Sequence, residues 1–234
     1  MLSVTGLVAI LIYYINSVFS TLPNYDKIVS ESSWIISDLV HLPQLLIPFL
    51  LILYITRGKP SEYGFNLNED PPTFSHSRMF LIGACFGLFM IVKPVIQVFT
   101  SSSVGVPEPV TLVNVLGYMS FQWIIVGLSE ETMFRGLIQT YLMKNLCGEI
   151  VILGNTLHLG TLFSAFFWGG FHIINVINMP LGAALLTVAV TTPIGLIMGY
   201  VYQRTGSLLS TILVHNTIFG VPLTFEYLLY FLGY

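Results

Sequence analysis

Charge is what this sequence has least of. Of its 234 residues only 8 are Lys or Arg and 11 are Asp or Glu, whereas a soluble domain carries about 25% charged residues. That deficit excludes a water-soluble protein of ordinary composition, and a net charge of −3 leaves no basic surface for nucleic acid. Cysteine is scarce too. Cys85 and Cys147 lie far apart without metal-ligand spacing, so they read as packing residues, neither a disulfide framework nor a ligand set. The apolar N-terminal run lacks a basic flank and a small-residue cleavage site, and reads as a first membrane helix, not a removed signal peptide. There is no internal repeat, heptad seam or low-complexity tract. There is also no His-Glu-x-x-His, which removes one class of zinc membrane protease.

What the chain has in quantity is apolar surface: 55% of residues are hydrophobic and the mean hydropathy is +0.84. A membrane-crossing helix needs about 20 mostly apolar residues, and the hydropathy pattern predicts about eight. These are 1–20, 34–56, 79–99, a segment within 110–146, a segment within 150–176, 181–203, 207–220 and 223–233. The expected fold is an all-α polytopic membrane helix bundle. It forms a single integral membrane domain over 1–234, with 110–220 as its chemically interesting core. Lys93-Pro94 predicts a kink in the third span. The run over 110–146 is too long for a ~30 Å hydrocarbon core, since a straight helix of that length would reach roughly 55 Å. It must tilt, bend or begin at the interface. With eight spans and a cytoplasmic N-terminus, Arg57, Lys59, Arg78, Lys144 and Arg204 fall inside and Lys27 outside.

Inside that long run stands Gly127-Leu128-Ser129-Glu130-Glu131-Thr132-Met133-Phe134-Arg135-Gly136, with three charges in six positions. Residues four apart share a helix face, so Glu131 and Arg135 can pair. Glu130 lies about 100° away from Glu131 and lacks that partner. A charge at mid-membrane costs roughly 2.5–3.5 kcal/mol, and an intramembrane carboxylate points to function. Of the five histidines, His41, His76 and His158 fall near expected span ends or loops. Asp38, His41 and Pro43 interrupt the second span, and placement near a membrane surface accounts for them. His172 and His215 are instead embedded in apolar runs. Ser164, Trp168 and His172 recur every fourth residue, and Asn216 follows His215. Lipid offers none of these groups a partner, so they are expected to converge inside the bundle. A carboxylate and two imidazoles around water are parts of hydrolysis. Glu130, His172 and His215 would also make a zinc set with an open position.

Glu-Glu-x-x-x-Arg, then an aromatic-x-x-x-His, then a second His in an apolar helix resembles the type II CAAX prenyl endopeptidase and bacteriocin-processing intramembrane proteases, the Abi or CPBP family. The first motif is matched by Glu130, Glu131 and Arg135. In the second, Trp168 to His172, tryptophan replaces the usual phenylalanine. In the third, the family's His-x-x-x-Asn becomes His215 followed by Phe219. The resemblance implies an endopeptidase in which Glu130 activates water, His172 shares that water, Glu131 and Arg135 hold the motif, and His215 serves as ligand or oxyanion donor. It implies a peptide or lipidated-protein substrate and a multi-pass location, expected in a prokaryotic cell membrane. A zinc mechanism and a metal-free glutamate mechanism both stay open. Phe219 should lie one turn beyond His215 on the same face, leaving an oxyanion donor short. That substitution supports a second reading, a catalytically weak relative that binds a peptide, as in bacteriocin immunity. A proton-coupled transporter is a third, disfavoured because no pair of broken helices repeats along the chain.

Overall fold

The computed structural model describes residues 6, 17–18, 21, 23, 25–101, 105–107, 109–177 and 179–234. The described residues are all-α apart from one hairpin. Among the described residues six helices are long and apolar enough to cross a membrane: α1 (Tyr25–Ile55), α2 (His76–Thr100), α3 (Leu112–Asn145), α4 (Leu159–Val176), α5 (Leu181–Thr205) and α6 (Leu208–Phe231). The expected first span lies outside the described residues. One expectation is corrected. The segments 207–220 and 223–233 are one helix, α6, which carries Pro222 inside it. Proline breaks a helix in water, but in a membrane neighbouring groups re-satisfy the freed carbonyl, so Gly220-Val221-Pro222 does not end the span. The span expected within 150–176 is α4, Leu159–Val176, and residues 149–158 precede it. They form an antiparallel hairpin, β1 (Glu149–Ile152) with β2 (Asn155–His158). Its two-residue turn, Leu153-Gly154, has positive φ at both positions, as a type I′ turn requires.

Contacts divide the chain into two compact units. The first comprises Met1–Ile47, Ser77–Glu130 and Ile212–Tyr234; the second comprises Pro48–His76 and Glu131–Thr211. In the first unit α2 meets α6 through Gly83 and Gly87. A Cβ at either would collide with Thr217, so the small-xxx-small spacing brings the two backbones together. The expected kink appears as a break at Ile91, between helical stretches His76–Met90 and Val92–Ser101, just before Pro94. α1 also bends, at Ser32. There buried Asn114 accepts from Ser32 Oγ at 3.0 Å and Trp34 Nε1 at 3.1 Å, and donates to Pro109 O at 2.8 Å.

In the second unit α4 and α5 pack closely, with Gly169 against Thr192. Gln203 of α5 ties down the hairpin: its Oε1 accepts from His158 N–H at 3.0 Å, and its Nε2 donates to Thr156 O at 3.0 Å. Asn66 and Asn68 fasten the loop after α1 to Gly206 O and Thr205 O. Both units keep polar side chains such as Gln139, Asn114, His215 and Thr211 inside, and turn leucines and phenylalanines such as Leu81, Phe89, Leu116, Phe166 and Leu186 outward. That distribution suits lipid, where interior polar groups bond one another and small residues set helix distance.

Candidate functional site

Glu130 belongs to the first unit, and a fault in α3 places it. From Phe121 to Ile125 the backbone is π-helical, and Val126 N–H reaches Phe121 O. A π turn takes in one residue more than an α turn. Trp123 O and Gly127 N–H, which would bond each other in a regular α-helix, are held apart by a side chain. Asn216 fills the gap: its Oδ1 accepts from Gly127 N–H at 3.0 Å and its Nδ2 donates to Trp123 O at 2.8 Å. A Cβ at position 127 would fall on that Oδ1, so a glycine is needed three residues before the carboxylate.

The π turn also sets register. Positions 121 and 130 are nine apart and would lie on opposite faces of a regular α-helix. One extra residue in the turn rotates Glu130 by about 100°, and both side chains then meet the imidazole of His41 in α1. The Phe121 and His41 rings are edge to face, with centroids 4.9 Å apart. His41 Nε2 lies 3.6 Å from Glu130 Oε1, with the two side chains 16% and 13% exposed. His41 Nδ1 is 2.8 Å from Ser37 O. A carbonyl only accepts, so Nδ1 carries a proton, and Nε2, which faces the carboxylate, donates to it when the ring is an imidazolium. His215 is also in this unit, buried on α6. Its ring lies 5.4 Å from that of Phe219 at 59°, so Phe219 does sit one turn on along the same face.

Glu131 opens the second unit and has a different setting. Arg135 Nη1 donates to Glu131 Oε1 at 2.9 Å, and both side chains are fully buried. Arg135 Nη2 donates to Gly195 O at 3.1 Å, and the guanidinium lies over the Trp168 ring, 4.9 Å from its centroid. Trp168 also lies against Gly195, where a Cβ would strike the indole. The tryptophan in place of the family's phenylalanine is thus matched by a glycine in α5. His172 stands where α4 tightens from α to 3-10 geometry. Its Nδ1 donates to Trp168 O at 2.8 Å and its ring meets the indole edge to face. Carboxylate, guanidinium, indole and imidazole form one chain of contacts. The second π stretch of α3, Thr132–Gln139, is buried throughout. Ser164 Oγ donates to Phe134 O at 2.8 Å and Thr140 Oγ1 to Arg135 O at 3.1 Å, so side chains again serve carbonyls of a helix break.

The predicted residues therefore fall in two groups, Glu130 and His215 in one unit and Glu131, Arg135 and His172 in the other. His76 and His158 lie at helix starts as expected: His76 Nδ1 is 2.9 Å from Glu69 Oε1, and His158 Nδ1 accepts from Gly160 N–H. His41 does not lie at a span end. It sits well inside α1 and touches the carboxylate of interest. No local signal marks it, because the contact joins distant segments. Asn216 is the second residue whose role was hidden; it serves the α3 backbone and does not stand in for the family's third-motif asparagine. Among the described residues no three His, Cys, Asp or Glu side chains form a group that could hold a metal ion.

Fold and site define an integral, multi-pass membrane protein with its charged motif enclosed among apolar helices. Residues 112–219 match the family model described as type II CAAX prenyl endopeptidase Rce1-like, the same family that the three motifs resemble. That segment holds Glu130, Glu131, Arg135, Trp168, His172, His215 and Phe219; His41 lies outside it. No match is found among curated proteins or among solved structures.

Proposed function

We propose that this protein is an intramembrane endopeptidase that hydrolyses a peptide bond in a membrane-associated protein, a prenylated C-terminal peptide being the substrate class that the matched family's description suggests. The observation that carries the reading is the partner of Glu130. Glu131 is held by a guanidinium, which never gives up its proton, whereas Glu130 faces an imidazole, which can. Glu130 is the carboxylate left able to accept one. It takes a proton from water as the water oxygen bonds to the scissile carbonyl carbon. The tetrahedral oxyanion then collapses, the proton passes to the departing amine nitrogen, and the C–N bond breaks to give a carboxylate and an amine. His172 orients the water and His215 donates to the oxyanion, the roles the family resemblance implies.

The test is cleavage of a farnesylated CAAX-type peptide and its unprenylated counterpart by purified protein, with Glu130→Gln alongside. Glutamine keeps size and hydrogen bonding but cannot take the proton, so turnover should fall at least ~10²-fold. Folded yield should hold, because a neutral amide is easier to bury than a charge. An active Glu130→Gln protein removes Glu130 from this role. One observation favours a second reading. The Phe219 ring rests on His215 where the family has an amide donor, as a peptide-binding relative with weak catalysis would have it. Binding of the same peptides without cleavage by the parent would support that reading.

A further inference from the structure

We propose that His41 is a positioning residue for Glu130, a contribution from α1 that lies outside the family-matched segment and outside all three motifs. The proposal rests on the reading of Glu130 as the base. The imidazole is fixed on two sides: Nδ1–H is tied to Ser37 O and the ring is wedged edge to face against Phe121. With the ring so held, Nε2 can point only one way, to Glu130 Oε1. At 3.6 Å the contact is longer than a hydrogen bond. Contacts of this kind in catalytic sites are loose at rest and tighten around the transition state. The effect is to hold Glu130 Oε1 in a set direction.

The surroundings of His41 fit such a role better than a packing role. Asp38, His41 and Gln44 step along α1 three residues at a time, which keeps them on one ridge. Gln44 is 2% exposed, and its Nε2, like Asp38 Oδ1, is buried without a hydrogen-bond partner among the described residues. Burying polar groups is costly, and a buried polar ridge beside Glu130 suits a reacting carboxylate and the polar backbone of a peptide better than packing alone. The π turn that rotates Glu130 onto His41 is the matching device on α3.

Two variants separate positioning from packing. His41→Phe keeps an aromatic ring against Phe121 and removes both nitrogens. His41→Gln removes the ring but returns an N–H donor near the place of Nε2. His41→Phe should lower kcat about 10–100-fold, the effect of a misplaced catalytic group, with KM within about twofold and an unchanged thermal midpoint. His41→Gln should recover most of that loss, although it packs less well. Unchanged kcat in His41→Phe, while Glu130→Gln is inactive, overturns the proposal. A second measurement needs no turnover: the imidazole 15N resonances, with the His41 signals assigned by their loss in His41→Gln. Glu130→Gln should shift the His41 Nε2 signal and leave Nδ1 in place. If the parent cleaves neither peptide, the peptidase reading fails and the 15N shift decides alone; an unmoved Nε2 signal overturns the pairing.

Discussion

Glu130 and Glu131 are neighbours in sequence with opposite surroundings. Glu131 is fully buried and bonded at 2.9 Å to a guanidinium that is itself stacked on Trp168 and bonded to Gly195 O. Glu130 keeps a little exposure and meets an imidazole at 3.6 Å. Breaking a buried ion pair leaves one charge uncompensated, so such a pair serves to fix structure. A carboxylate beside a titratable ring, at a distance that can close, suits chemistry. Under the proposed function, one helix separates holding from reacting in consecutive residues. Both glutamates lie on the regular turn Val126–Glu131 between the two π stretches, and the 100° between consecutive helical residues sends them to different partners.

The strongest way to break this contrast is on the locked side. Arg135→Ala leaves the Glu131 charge buried without its ion-pair partner, and we expect about 3–5 kcal/mol of lost stability, read as a lower thermal midpoint in detergent and a smaller folded yield. Glu131→Gln combined with Arg135→Met removes both charges and should recover stability better than activity. Glu130→Gln should show the reverse pattern, stable and inactive. If Arg135→Ala melts with the parent, Glu131 is not structural and the contrast fails.

The locked side was also the legible one. Four-residue spacing announces the Glu131–Arg135 pair, and hydropathy finds the apolar helices because lipid permits little else. The open side was hidden for physical reasons. His41 reaches Glu130 across distant segments, and its neighbours Asp38 and Pro43 resemble the edge of a span. The π turn at Phe121–Ile125 leaves no compositional mark beyond Gly127, and without it the faces of Phe121 and Glu130 are misjudged. The hairpin at Glu149–His158 leaves no signal of its own, because Ile150, Val151, Ile152 and Leu157 continue the apolar pattern and four-residue strands are too short for periodicity to arbitrate. Pro222 reads as a break and splits in two what is one helix.

An intermediate effect is expected at Asn216. Removing its amide by Asn216→Ala leaves Trp123 O and Gly127 N–H two options. They can stay apart and unsatisfied, at about 1–3 kcal/mol each, or they can bond each other and turn the π stretch into regular α-helix. The second route is cheaper but rotates everything beyond it by about 100°, carrying Glu130 away from His41. We therefore expect a stability loss of only about 2 kcal/mol with a kcat loss that exceeds what the melting shift implies. Asn216→Asp, which can accept from Gly127 N–H but cannot donate to Trp123 O, should fall between. Full activity in a destabilised Asn216→Ala protein would show that the splint supports the fold and not the placement of the carboxylate.

The smallest effect is expected at Phe219, and it tests whether the open side is complete. Its half-buried ring lies on His215 in the position where the family carries an amide. Phe219→Asn loses part of that packing, about 1–2 kcal/mol of apolar burial, and restores a donor one turn from His215. A well-placed oxyanion donor is worth ~10²–10³ in turnover. A donor introduced without the side chains that would orient it should recover only a small part, so we expect a gain below about tenfold in kcat. KM should barely move, because an oxyanion exists only after the water has attacked and its donor discriminates the transition state from bound substrate. A gain in kcat that disappears in the Phe219→Asn, Glu130→Gln double variant would tie both residues to one reaction. A parent that binds peptide, and a Phe219→Asn protein that binds no differently and still does not cleave, would mean that Phe219 belongs to a binding surface and that Glu130 is not used for hydrolysis.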